Sequence, residues 1–462
     1  MKENIRKFFM VFVIFMLVIL PLYSQGQNDI TEELNDDSIT LKWYGASYQQ
    51  NNMAEILIER YAEIQPNIKV KYVELASLLN EEFFSKYDVL VASGEQADVV
   101  YMGVLDILKR ALNGAILPIN AQIEKNGDDF EADYGEEYKI LDIDGNIYGV
   151  PFAINAFRVF YNIDWLESEG VTIPENWTFD QFLDVARTIA DPENDIYGAF
   201  LPFTWFDMTY APAQVAGWNM VKEKDGKIVP NFDDPRFRKN IEYLYQMTVT
   251  EKLNPDFPTT KAERLNRRVF LAEKQVPMIV DSWYSLAWLN GYRYDSEIKR
   301  DFGFNIGVTD FPRLDENVPV DVNFSLLVGA WAIPKTSINP DAAYDFARFV
   351  TNENPDQLMG IPAYKKINIQ ETIKIFTNYT AKDGSKYTQV YPEQLVIDIL
   401  TVTDKSHFGY YNFDPQLYAK YTSVLDQLLQ QEVELYLIGE KTLDEFIAAM
   451  QKRGAEEINR LH

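Results

Sequence analysis

Cysteine is absent from all 462 residues, and histidine occurs only at positions 407 and 462. The first absence excludes disulfides, thiolate metal sites and a cysteine nucleophile together. It also excludes the lipid anchor of a bacterial lipoprotein, which needs a cysteine at the mature N-terminus. The second absence leaves His407 as the one non-terminal candidate for a Ser-His-Asp triad, and its setting, SHFGYYNF, is that of an ordinary structural histidine. No glycine-rich phosphate loop precedes a helix, and neither HExxH nor a DxDxDG calcium loop is present. Nucleotide and metal chemistry are therefore not expected, and no cofactor, ATP site or metal site is assigned. Positive charge is scarce as well: 43 Lys and Arg stand against 70 Asp and Glu, a formal net charge of −27. Such a surface repels nucleic acid and anionic membranes.

The chain is 47% hydrophobic and 14% aromatic, too apolar for disorder and too long for a single core, so two lobes are expected. Its first stretch stands apart. Lys2, Arg6 and Lys7 precede an uncharged run from Phe8 to Leu20, closed by Pro21 and then small or polar residues from Ser24 to Gln27. This is the pattern of a secretory signal over residues 1–26, with cleavage after Ser24 or Gly26. The run is shorter than the roughly 20 apolar residues of a membrane-spanning helix, although an uncleaved anchor is the alternative reading. Removal of the signal takes away three positive charges and one negative, leaving −29. The expected product is exported, free in a periplasm and monomeric.

After the polar linker from Asn28 to Asp37, ITLKWYG alternates as a half-buried strand, and Met53, Ile56, Leu57, Tyr61 and Ile64 mark one face of a helix that Pro66 stops. NIKVKYVEL, the stretch from Asn80 to Ala92, and ADVVYM continue as strand, helix and strand. That alternation predicts a parallel sheet covered on both faces. FRVFYN opens a second unit, followed by a helix announced by a Thr178/Gln181 capping box. FGFNIGV and FSLLVGAWAIP read as buried strands, NPDAAYDFARFVTNE as a helix, and the chain from Gln416 onward as helical with one interruption at Gly439. Between the units lies YGVPFAIN, where Gly149, Pro151 and Asn155 interrupt an apolar run. Regular pairing is expected to lapse at Pro151, which has no amide hydrogen. The expected division is 38–153 with about 328–360 for one lobe, and about 154–327 with 361–462 for the other.

Aromatic residues beside amides and hydroxyls gather in WYGASYQQNN, LPFTWFDMTY, AGWN and VDSWYSLAWLNGYRY. Aromatic faces accept the C–H surface of a sugar ring while polar neighbours take its hydroxyls. For any single aromatic the core is the better prior, and Trp288 and Trp331 are assigned there. A carboxylate-pair glycosidase stays open, since a chain this acidic can bring two carboxylates within about 5 to 10 Å. Asp281 and Asp207, each beside aromatics, are the nearest candidates for its acid, and a hydrogen-bonded Asp is the better prior for each.

The order of several motifs carries a resemblance: Trp43 ending the first strand, ADVVYMG then GAILPIN, DGNIYGVPFAINAFRVFYN, IPENWTFDQFLDVA, FLAEKQVPMIVDSW, AWAIPKTSINPDAAYDFARFV, MGIPAY and EVELYLIGEKTLDEFIAAM. Over essentially the whole mature chain it resembles the extracellular solute-binding protein family 1, the carbohydrate receptors of ABC importers that include maltose-binding protein. The resemblance implies a non-enzymatic, type II-like periplasmic binding protein fold: α/β, with two hinge-connected lobes, parallel-rich sheets flanked by helices and a ligand closed in the cleft. It implies a sugar ligand, in this reading an oligosaccharide, and membrane permease subunits of an ABC transporter as partners. Carried over by position, Ser47, Tyr48 and Gln49 meet the sugar, Met102 stands at an aromatic subsite, and Asn155 replaces a sugar-binding acid. Trp283 with Tyr284, and Trp205, Phe206 and Trp218, supply aromatic contacts, and Phe324 fills the cleft where other members carry a Gly-Gly. A non-sugar receptor of the same fold is the remaining alternative, since fold alone does not fix ligand class.

Overall fold

The structure, a computed structural model, describes residues 38–49, 53–79, 81–202, 210–271, 275–282, 286, 289–295, 304–357, 360–381, 383–401, 406–408 and 414–461. The signal expected in residues 1–26 lies outside them, as do Asp207 and Trp288. Strand β1 (Ile39–Ala46) buries Leu41 and Trp43 and leaves Thr40 exposed, as its alternation predicts. The helix Glu55–Ile64 follows and buries Leu57 and Tyr61, whereas Ile56 and Ile64 are exposed. Residues 53, 57 and 61 stack at i, i+4 spacing on one narrow stripe, and Ile56 and Ile64 fall beside it. β2 (Ile68–Ala76), the helix Glu81–Ala92 and β3 (Val99–Gly103) complete the first alternating set.

Next comes a tight hairpin of β4 (Asp142–Ile143) and β5 (Asn146–Ile147), whose turn residues Asp144 and Gly145 both have positive φ, 53° and 79°. An Asp-Gly pair adopts that conformation readily. β6 (Val150–Asn162) follows, then the helix Phe179–Ile189 with the predicted Thr178/Gln181 capping box formed. A second hairpin joins β7 (Val221–Lys224) to β8 (Lys227–Pro230). β9 (Met278–Ser282), β10 (Ile306–Asp310) and β11 (Val322–Ala332) precede the helix Pro340–Glu353. The remaining strands are β12 (Ile361–Pro362), a hairpin of β13 (Tyr379–Thr380) and β14 (Lys386–Tyr387), and β15 (Ser406–Phe408). Two long helices, Pro415–Leu437 and Leu443–Arg460, follow, with Gly439 at φ 81° between them.

The main sheet runs β10-β6-β11-β3-β1-β2, with β9 and β12 also paired to β6 and β15 to β11. β1 and β3 are parallel, in line with their helical crossovers. β6 is antiparallel to β9, β10, β11 and β12, so the sheet as a whole is mixed. Packing follows the same division. At the β1–β3 end, Trp43 and Trp331 meet edge to face at 5.4 Å, with Tyr72, Phe346 and Phe152 around them. Trp331 is thus in the core, as expected. Toward the other end, one face of β6 sends Phe157 and Val159 into a core with Trp177, Phe182 and Trp218. The opposite face sends Ala156 and Phe160 into a second core with Phe200, Ile279 and Val396. Among the described residues, no helix is long and apolar enough to cross a membrane.

Candidate functional site

β6 changes neighbours part-way along. Val150 to Ala156 pair with β11, while Phe157 to Tyr161 pair with β9 and Arg158 to Asn162 with β10. β11 makes the same passage, pairing with β3 through Gly329 to Ala332 and with β15 through Val322 to Phe324. Pairing does not lapse at Pro151, contrary to the sequence expectation: Pro151 faces Ala330 within an unbroken strand. On its other side β12 reaches only Ala153 and Ile154, so no strand there requires the missing amide hydrogen. The irregularity sits close by, in a register shift between Leu327 and Ala330. A Cβ on Gly329 would lie 2.2 Å from the Met102 carbonyl oxygen, so glycine lets the strands close up there.

Asn155 stands one residue before this changeover, opposite Leu326. It is 6% exposed, and its Oδ1 is buried without a hydrogen-bond partner among the described residues. Gly360, just before β12, lies close against β6: a Cβ there would lie only 2.6 Å from the Ala153 Cβ and in ordinary contact, at 3.7 Å, with Oδ1. An unsatisfied buried acceptor costs about 1 to 3 kcal/mol, so a strand that retains one needs a reason.

The other expected contacts are distributed differently. Ser47, Tyr48 and Gln49 form a short helical turn directly after β1. The Ser47 hydroxyl donates to Glu74 Oε1 at 2.6 Å, and Gln49, 3% exposed, accepts the Ala46 amide at 3.1 Å. Gln49 therefore closes its own turn. Met102 has no exposed surface and sits on β3 opposite Ala330. Trp218 corrects the expectation outright. It is 1% exposed, its indole N–H donates to the Asn231 carbonyl at 2.7 Å, and its ring stacks on Phe237 at 4.6 Å. Phe232 and Tyr210 cover its flanks, so it is a core residue with no face for a ligand. Trp205, Phe206, Trp283 and Tyr284 lie outside the described residues, as do the side chains of Tyr48 and Phe324.

Two features escaped the sequence. Asp310, Arg158 and Asp281 lie side by side on β10, β6 and β9. Arg158 pairs with Asp310, and Arg267 grips both oxygens of Asp281 at 2.7 and 3.1 Å. Burial pushes the Arg158 guanidinium below its ordinary range, opposed by Asp310. Asp281, also bonded by the Ser282 amide, is an ion-pair partner rather than an acid waiting in an apolar pocket. The second feature is Gln214 on the helix Ala211–Val215: it is 3% exposed, and its Oε1 is buried with no partner among the described residues.

Residues 46–355 match the family described as bacterial extracellular solute-binding protein. The chain belongs to that family. A putative ABC transporter periplasmic-binding protein of Escherichia coli, YcjN, is 26% identical over 229 residues, 47% of this chain and 50% of the relative. The match thus spans about half the length of that relative. A mannitol-binding protein of Pseudomonas aeruginosa is 21% identical over 346 residues, 72% of this chain and 71% of its own. Among solved structures, a sugar transporter of Rhizobium etli in an open conformation superposes with a TM-score of 0.71 at 19% identity, covering 91% of this chain and 99% of the other. An ABC substrate-binding protein of Listeria monocytogenes in complex with cycloalternan gives 0.69 at 18% identity, covering 92% and 98%. The fold is therefore that of the two-lobed periplasmic binding proteins, a mixed α/β architecture with flanking helices.

Proposed function

We propose that this solute-binding protein is an exported, non-enzymatic receptor that binds a sugar between its lobes and delivers it to the permease of an ABC transporter. The observation that carries the reading is the orphaned amide oxygen of Asn155, buried where β6 leaves one set of strands for the other. In this reading the lobes divide there, residues 38–153 with about 328–360 against about 154–327 with 361–462. A sugar hydroxyl is a neutral donor of the size and kind that such an acceptor lacks. The stated ligands of several similar proteins support the same class, namely mannitol, tagatose and cycloalternan, while a further one is in complex with glycerophosphocholine. Contacts from both lobes form together only when the lobes close, so the ligand stabilises the closed form that a permease recognises. The tie between Asp281 and Arg267 removes the nearest described candidate for a glycosidase acid.

Tryptophan emission and small-angle scattering, followed during titration with D-mannitol, D-tagatose, maltose and cycloalternan, test the reading. A saturable change with no release of reducing ends is expected. Steady release of reducing ends from an oligosaccharide identifies a hydrolase instead, and no response to any sugar sets the sugar class aside.

A further inference from the structure

Gln214 is the one glutamine in a short helix otherwise made of Ala, Pro and Val, and every residue of that helix is buried. A polar side chain in such a place ordinarily has its hydrogen bonds met within the protein. The neighbouring Asn240 does so, its Oδ1 accepting the Ala213 amide at 3.1 Å. Gln214 Oε1 does not, and it shares that condition with Asn155 Oδ1.

Asn155 and the helix that carries Gln214 lie on the same face of the sheet. Side chains alternate along a strand, so Asn155 points to the side of β6 that carries Phe157 and Val159. Those two residues belong to the core that contains Ala211, Ala213 and Val215, and the helix Ala211–Val215 packs against β11, the strand paired to Asn155. Asn231, Asn290 and Gln451 also have an unpartnered amide oxygen, but their places differ, and Gln451 is a partly exposed residue of the helix Leu443–Arg460. Asn231 is tied into the turn under Trp218 by its Nδ2 bond to the Asn219 carbonyl. Asn290 adjoins Leu289 in the core on the opposite face of β6.

We infer that Gln214 is a second ligand-contacting residue, its amide oxygen accepting a hydroxyl hydrogen from the sugar that Asn155 holds. The inference rests on the sugar-receptor reading and narrows it. Two unpartnered acceptors call for a ligand that brings two hydrogen-bond donors. The occupant is accordingly a polyhydroxylated molecule, a sugar or sugar alcohol, with two hydroxyls directed at these oxygens.

The test is calorimetric titration of the full chain, as wild type and as Gln214→Met, with D-mannitol, D-tagatose and maltose. Methionine keeps the length and removes the acceptor. The expected result is a loss of at least about tenfold in affinity for the sugar that wild type binds, with the melting temperature of the ligand-free protein unchanged or raised. Wild-type affinity in Gln214→Met overturns the inference alone. No saturable binding of any of the three by wild type overturns the sugar reading and this inference with it. Should the variant fail to fold, a crystal structure of wild type with its sugar reads the same point: a hydroxyl within hydrogen-bond reach of Gln214 Oε1 supports it, and an Oε1 turned away from the ligand overturns it.

Discussion

Buried amide side chains are treated in opposite ways in different parts of this protein. Asn254, 1% exposed, accepts the Leu201 amide at 2.6 Å and donates to the Pro255 carbonyl at 2.9 Å. Asn354, 2% exposed, accepts from Arg60 at 2.8 Å and donates to the Phe349 carbonyl at 2.8 Å. Each joins two pieces of chain that no regular element connects. Asn155 and Gln214, 6% and 3% exposed, are buried as well and join nothing through their oxygens. The difference separates a polar group that holds the fold together from one kept despite its cost. Only the second kind calls for an explanation outside the fold, and the one proposed for Asn155 and Gln214 is a ligand hydroxyl.

Substitutions can break or sharpen this contrast. The largest effect belongs to Asp281→Ala, which takes the carboxylate of a buried ion pair away from the Arg267 guanidinium. A destabilisation of about 3 to 5 kcal/mol is expected in chemical denaturation, the usual result of removing half of a buried ion pair. Asn254→Ala comes next, at about 1 to 3 kcal/mol, because it leaves the Leu201 amide and the Pro255 carbonyl unpaired. Neither should change the sugar affinity of the folded fraction, and a selective loss of affinity in either would blur the contrast. A smaller, pH-dependent effect is expected at Asp234, which caps the helix Pro235–Tyr245. Hydrogen bonds from Arg236, at 2.9 and 2.7 Å, hold its carboxyl below the ordinary carboxylate range against the opposing effect of burial. A depressed folded-state pKa contributes stability above the unfolded value and loses it as pH falls through the folded one. Asp234→Asn, which retains a good cap, should therefore cost up to about 1 kcal/mol at neutral pH. The gap to wild type should close in acid, and a gap that widens there would contradict the assignment.

Much of the fold was legible because local signals and packing agree. The Thr178/Gln181 capping box, the Gly439 break and the alternation of β1 each fix a boundary through interactions within a few residues. The burial of Asn155 was legible for a related reason, since an apolar strand carries its polar residue inside with it. Trp218 was not, because residue type says that an aromatic is valuable when covered but not whether protein or ligand covers it. Ile56 and Ile64 were assigned to a buried face that proved narrower than their spacing suggests. The ion pair of Arg158 with Asp310 joins residues 152 positions apart and leaves no local trace. The burial of Gln214 was not legible, because a single glutamine in a short segment reads as a surface position.

The central claim is that Asn155 is unsatisfied in the protein because a sugar satisfies it. Asn155→Leu separates the two halves of that claim, since leucine is close in size and carries no polar atom. Calorimetry and thermal denaturation of this variant beside wild type, with and without D-mannitol, D-tagatose and maltose, read both at once. The account predicts ligand-free stability unchanged or up to about 1 kcal/mol higher, as an orphaned acceptor is removed, together with loss of the saturable sugar binding shown by wild type. Lower ligand-free stability with sugar affinity intact would contradict it, and would make Asn155 another residue of the fold.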